Sequence, residues 1–314
     1  MKNISELDKL QILMRMDAKY LPDEYVDCIF HYTSPLGFQS ILFQDPNNVT
    51  LWASRYDCLN DVSEGTIAEE ILKEVCDELL ENKKIDDYLH DLFSTVTLPR
   101  TALLHYNKGE SIKITRPEFD RYVCSFSKNK DSLSMWNYYS KGNRYEGFNI
   151  GFYATNLKES LENFLGSVEA VPHVFPVIYK KSEQKQLIEK MLLKLKDLYK
   201  KEQEPQIRYI ISNRLLDWSL IFKKECFEHE EEVRIIVFIA KHETKIPVNY
   251  RINSGYLVPY IELKIDKDSV SDIVFGPLQM DKKQKSHQVK IMEELISSKS
   301  YSAIVDYSEI PVRY

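Results

Sequence analysis

Residues 230 to 234 read Glu-Glu-Glu-Val-Arg and run straight into the apolar stretch Ile235 to Ile239. In strand geometry side chains alternate, so Glu230, Glu232 and Arg234 leave one face while Val233, Ile235 and Val237 leave the other. Two carboxylates then stand beside a fixed cation at a sheet margin. That arrangement suits chemistry at a developing positive charge, because Arg234 keeps one Glu ionised while the neighbouring Glu stays accessible. The same spacing also suits a wet strand margin carrying an ion pair, so the motif needs company.

Three further polar islands supply it: His31-Tyr32-Thr33-Ser34, Ser54-Arg55-Tyr56 with Asn60-Asp61, and Ser125-Phe126-Ser127 followed by Met135-Trp136. Each falls where an apolar strand pattern ends, which is how a rigid sheet builds a site. Each also has a structural reading. His31 between Phe30 and Tyr32 suits a core histidine, Ser34 before Pro35 is a helix N-cap, Asn60-Asp61 is a turn, and Met135, Trp136 and Tyr139 at helical spacing belong to a core. The usual glycine-rich phosphate loops, the Gly-x-Ser-x-Gly elbow and the His-Glu-x-x-His zinc motif are all missing, which removes the entry signals of the enzymes that carry them.

The elements that must position these islands alternate between strand and helix patterns. Strands are predicted over 26–32, 49–54, 121–126, 147–152, 233–240, 257–265, 270–275 and 303–307, with a further apolar stretch at 174–179. Helical spacing marks 5–20, 36–43, 62–84, 132–139, 187–198, 209–222 and 282–296. The expectation is an α+β protein: a leading helix over 1–25, then one domain over 26–314 with helical insertions near 62–118 and 181–222. The lysine-rich face of the second insertion (Lys190, Lys194, Lys196, Lys200, Lys201) reads as a solvated face.

Composition narrows the class. With 43% hydrophobic residues, and 20 Tyr and 14 Phe against 9 Gly, the chain can bury a core and is not of low complexity. The net charge of −6 gives no global attraction to phosphate backbones. No run of about 18 apolar residues exists to span a bilayer, and the first residues lack the apolar segment of a secretory signal, so no membrane is expected. Five widely spaced cysteines without a Cys-x-x-Cys or Cys/His cluster suggest neither a disulfide framework nor a metal site, and fit a reducing cytoplasm.

Taken together the islands resemble a known family. His31-Tyr32-Thr33-Ser34-x-x-Gly37, Leu51-Trp52-x-Ser54-Arg55-x-x-x-Leu59-Asn60-Asp61, Cys124-Ser125-Phe126-Ser127 with Asp131-Ser132-Leu133-x-Met135-Trp136-x-x-Tyr139, Gly147-Phe148-x-Ile150-Gly151-Phe152, and Lys223-x-x-x-Phe227-x-x-Glu230-x-Glu232-x-Arg234 closely resemble, in order, the bacterial family called Domain of Unknown Function 2971. The resemblance spans roughly residues 27 to 276. That family is similar in turn to the ADP-ribosyltransferase-like superfamily, which implies a mixed, mainly antiparallel split sheet with helical insertions. It also implies NAD as co-substrate and rupture of the nicotinamide glycosidic bond, with the acceptor a protein or a nucleic acid.

The resemblance implies roles for particular residues. His31 would hydrogen-bond the nicotinamide ribose, Ser54 would take the polar second-strand position, and Glu230 or Glu232 would be the essential acid. Tyr32, Thr33, Arg55, Tyr56, Ser127 and Arg234 would line the NAD site. The chain departs from well-studied transferases in having His31 where one group has Arg, and in lacking the second-strand Tyr of the other group. The superfamily's habits imply a toxin or phage-defence effector with a neutralising antitoxin partner. Two further activity classes stay open: an NAD glycohydrolase using water as acceptor, and a non-catalytic nucleotide-sensing or interaction module on the same scaffold.

Overall fold

The structure, a computed structural model, describes residues 27–59, 64–98, 119–140, 145–199, 203–253, 255–278 and 280–311. The expected leading helix and the Asn60-Asp61 turn lie outside these residues. In chain order the elements are β1 (Cys28–Thr33), α1 (Pro35–Phe43), β2 (Val49–Arg55), α2 (Glu64–Glu81), α3 (Asp87–Ser94), β3 (Phe119–Ser127), α4 (Leu133–Tyr139), β4 (Phe148–Tyr153), α5 (Ala154–Leu165), β5 (Ala170–Pro176), α6 (Lys181–Leu198), α7 (Glu204–Ser219), β6 (Glu232–Ala240), β7 (Asn249–Asn253), β8 (Tyr256–Ile265), β9 (Val270–Phe275), α8 (Lys282–Ser298) and β10 (Ile304–Tyr307). Two compact units emerge. Of the described residues, one comprises those within 64–98 and 177–228; the other comprises those within 27–59, 119–176 and 229–311.

The described part of the first unit is helical, built from α2, α3, α6 and α7. Apolar residues repeat every three or four positions along α2 (Ile71, Leu72, Val75, Leu79) and α6 (Ile188, Met191, Leu192, Leu195), and all of these are buried. Such a stripe removes one helix face from water, at about 25 cal/mol per Å2 of apolar surface. Outside the stripe, Lys181 and Lys185 of α6 pair with Glu74 and Glu78 of α2 at 2.6–2.9 Å.

The second unit carries a ten-stranded mixed sheet in the order β10-β9-β4-β1-β3-β2-β8-β7, with β6 joined to β3 and β5 joined to β6. Every pairing is antiparallel except that of β10 with β9, so the expected mixed, mainly antiparallel α+β architecture is present. One face packs a core of Ile29, Leu51, Phe126, Ile150, Phe152 and Ile235 against apolar residues of α1, α5 and α8. On the other face Met135 and Trp136 of α4 cover Phe30, Tyr32 and Val274. Trp136 is fully buried and its indole donates to Asp131 Oδ1 at 2.7 Å, so it is a packing residue with its one polar atom satisfied.

The feature that matters for function is the way β3 is shared. Along one edge it pairs with β6 over its whole length, from Phe119↔Ala240 to Ser127↔Glu232. Along the other edge β1 meets it at Phe30↔Ser127 and β2 meets it at Ser54↔Val123 and Arg55↔Tyr122. Cys124, Ser125 and Phe126 between these points have no ladder partner on that edge. That edge of β3 therefore splits, with β1-β4-β9 leaving at one end of the gap and β2-β8-β7 at the other, while β6 and β5 continue the opposite edge.

Candidate functional site

The acidic motif begins outside the strand. Glu230 ends a 3-10 turn over Glu225–Glu230, Glu231 follows in the left-handed region at φ 44°, and β6 starts only at Glu232. This corrects the expected alternation: Glu232 and Arg234 share a face, while the reversal at Glu231 takes Glu230 out of that row. The turn is tied to the end of β3. Ser127 Oγ donates to the Glu230 carbonyl at 2.7 Å, the Lys128 amide donates to the Glu231 carbonyl at 2.8 Å, and Asn129 Nδ2 donates to Glu231 Oε1 at 3.0 Å. Ser127 Oγ also accepts the Asn129 amide at 3.1 Å.

Glu232 and Arg234 form a buried fork. Arg234 Nε reaches Glu232 Oε1 at 2.8 Å and Nη2 reaches Oε2 at 3.0 Å, and the two residues are 6% and 3% exposed. Both carboxylate oxygens are thus engaged by one guanidinium, the strongest ion-pair geometry available to these side chains. Glu230 is half-buried, more exposed than Glu232 and less than Glu231.

His31 lies at the split. Its Nδ1 is 3.0 Å from the Ser125 carbonyl, on the edge of β3 that lacks a ladder partner, and its ring packs against Phe126 at 5.4 Å. A carbonyl can only accept, so Nδ1 carries the proton and, in the neutral ring, Nε2 is left as an acceptor. Burial holds the imidazole below its ordinary pKa, with the Ser125 hydrogen bond opposing; the ring is neutral at neutral pH. Ser54 bounds the split at its other end through its pairing with Val123, and its Oγ accepts from Arg251 Nη2 at 2.8 Å.

The structure does not bring all the expected site residues to one place. His31 leaves β1 on the side of Ile29 and Ile150, whereas Glu232 leaves β6 on the side of Ser127, with β3 between them. The expectation that His31 and both Glu residues face one cleft is thereby corrected for Glu232: Ile29 and His31, two positions apart, share the core face of the sheet, while Ser127 and Glu232 lie on the other face. Tyr32 is buried, its hydroxyl donating to the Asn129 carbonyl at 2.8 Å and accepting the Ser132 amide at 2.9 Å. Its ring meets Trp136 edge-on at 4.8 Å, so neither aromatic presents a face to a ligand.

Thr33 and Tyr56 are half-buried. Arg55 donates to Asp57 Oδ1 at 2.6 Å in an exposed pair. Residues without a role in the sequence reading also lie along this turn: Asn129 and Glu231 bond each other, and His229 is 3.3 Å from the hydroxyl of exposed Tyr138. The Ser127-x-Asn129-x-Asp131 spacing was their available signal, since short polar side chains bond backbone amides two residues on; the Asp131 amide indeed donates to Asn129 Oδ1 at 3.0 Å.

Residues 135–235 match the model of a family described as a protein of unknown function (DUF2971), which supports the family resemblance carried by the motifs. The matched segment holds Trp136, Glu230, Glu232 and Arg234; His31 and Ser54 precede it. No curated protein and no solved structure matches the chain.

Proposed function

We propose that this chain is an ADP-ribosyltransferase-like protein that binds NAD at the split of its sheet and breaks the nicotinamide glycosidic bond. The observation that supports the reading best is the split itself, a gap in the β3 edge filled by a neutral histidine, with acidic residues where β6 begins. His31 Nε2 suits a ribose hydroxyl, which needs an acceptor. Departure of nicotinamide with the bonding electron pair leaves an oxocarbenium-like centre, and a nearby carboxylate stabilises that charge. An acceptor nucleophile then adds to the same carbon and gives up its proton. Glu230, half-buried at the end of the turn before β6, is the carboxylate that takes it, while Glu232 stays bonded to Arg234.

The proposed setting is a bacterial cytoplasm, as a toxin or defence effector with a neutralising partner; this rests on the family resemblance. The test is nicotinamide release by the purified chain. Glu230→Gln is expected to lower turnover about 100-fold or more with little change in melting temperature. Wild-type turnover in that variant would remove Glu230 from the chemistry. A second reading, a nucleotide-sensing module without turnover, is favoured by the closure of Glu232 under Arg234. Its sign is a melting temperature raised by ADP-ribose in a protein that releases no nicotinamide.

A further inference from the structure

We infer that Arg251, on the edge strand β7, forms with Ser54 an anion corner of the split that seats a phosphoryl group of the ligand. Arg251 pairs with Val258 of β8, and its side chain reaches across β8 to Ser54 of β2, where Nη2 donates to Oγ at 2.8 Å. The guanidinium lies 5.8 Å from the centre of the Trp52 ring, and Trp52 packs on Tyr260 at 4.4 Å. Among the described residues no carboxylate bonds this cation, and its Nε is buried without a hydrogen-bond partner.

A buried donor left unpaired is uncommon in folded proteins. Arg251 also carries a full charge, and a guanidinium with most of its donors unused matches the planar array of oxygens on a phosphate. The position agrees. Ser54 bounds the gap in β3, and the Cys124 thiol on that gap, pushed up to about 12 by burial, is pulled back by the Arg251 charge. A serine hydroxyl, a stacked aromatic and an underused guanidinium converge at this corner.

This inference rests on the nucleotide reading for its ligand, and calorimetry on the full chain separates the two. Wild type, Arg251→Gln and Arg251→Lys are titrated with ADP-ribose, adenosine and inorganic pyrophosphate. Arg251→Gln is expected to weaken ADP-ribose and pyrophosphate about tenfold or more while leaving adenosine unchanged, and to flatten the salt dependence of ADP-ribose binding. Arg251→Lys recovers only part of the affinity, since a point charge cannot fork; it also serves as the readout if the Gln variant does not fold. Pyrophosphate binding that depends on Arg251, without ADP-ribose binding, upholds the anion corner and counts against the nucleotide reading. Equal affinities in all three proteins, or no heat from either phosphate compound with wild type, overturn the inference.

Discussion

At the scale of single residues, the buried fork of Glu232 and Arg234 dominates the energetics of the acidic motif. Removing one member of such a pair leaves an uncompensated charge in the interior and costs about 3–5 kcal/mol, whereas replacing both by neutral groups costs far less. Arg234→Met is therefore expected to lose stability in that range, and the double variant Glu232→Gln with Arg234→Met to regain most of it, as read by urea unfolding. Additive losses would mean that the two side chains do not act as a unit. His31 makes a pH-dependent contribution of defined sign. Its folded pKa lies below the 6.5 of a free histidine, so between pH 6.5 and the folded value the unfolded chain binds the extra proton. Stability falls as pH drops through that window and is unaffected above it. His31→Gln removes this slope, so the stability difference between wild type and variant should shrink from pH 7.5 to pH 5; a constant difference would contradict the burial of a neutral ring.

At the scale of elements, the turn before β6 is held by the end of β3, and Ser127 is the link. Its hydroxyl is buried, donates to the Glu230 carbonyl and accepts the Asn129 amide, so Ser127→Ala strands both groups at a cost of about 1–3 kcal/mol. Hydrogen exchange should then speed up at Glu231 and Asn129 while the middle of β6 keeps its protection; unchanged exchange would show the turn to be held by other contacts. Most elements were legible because alternation and helical spacing are strong in a chain with one buried face per strand. Ser34 and Pro35 marked the start of α1, and the Ser34 side chain does accept the Gly37 amide. The exceptions have physical reasons. The apolar stretch at 174–179 only overlaps β5, which lies at Ala170–Pro176; Pro172 argues against a strand there, and a strand paired only on its β6 side tolerates it. β7 was missed because Asn249-Tyr250-Arg251-Ile252-Asn253 is a short edge strand whose existence depends on β8. The helix α5 follows β4 without a turn signal.

At the scale of the whole molecule, the sequence singled out segments that meet around β3 without revealing how they face one another. The polar islands do gather around β3, since His31, Ser54, Ser127 and Glu230 each touch or pair with it. Which side of the sheet each serves depends on two things a linear reading does not contain, the left-handed residue at Glu231 and the departure of β1 from β3 beyond Phe30. Arg251 was invisible for the same reason, because its approach to Ser54 needs β2, β8 and β7 side by side. The proposed NAD chemistry at the split is tested most directly by nicotinamide release from NAD by the purified full chain, with and without cell lysate as a source of acceptors. The expected result is release by wild type, reduced about 100-fold or more in Glu230→Gln at an unchanged melting temperature. Wild type that releases no nicotinamide under either condition, and whose melting temperature neither NAD nor ADP-ribose shifts, would contradict it.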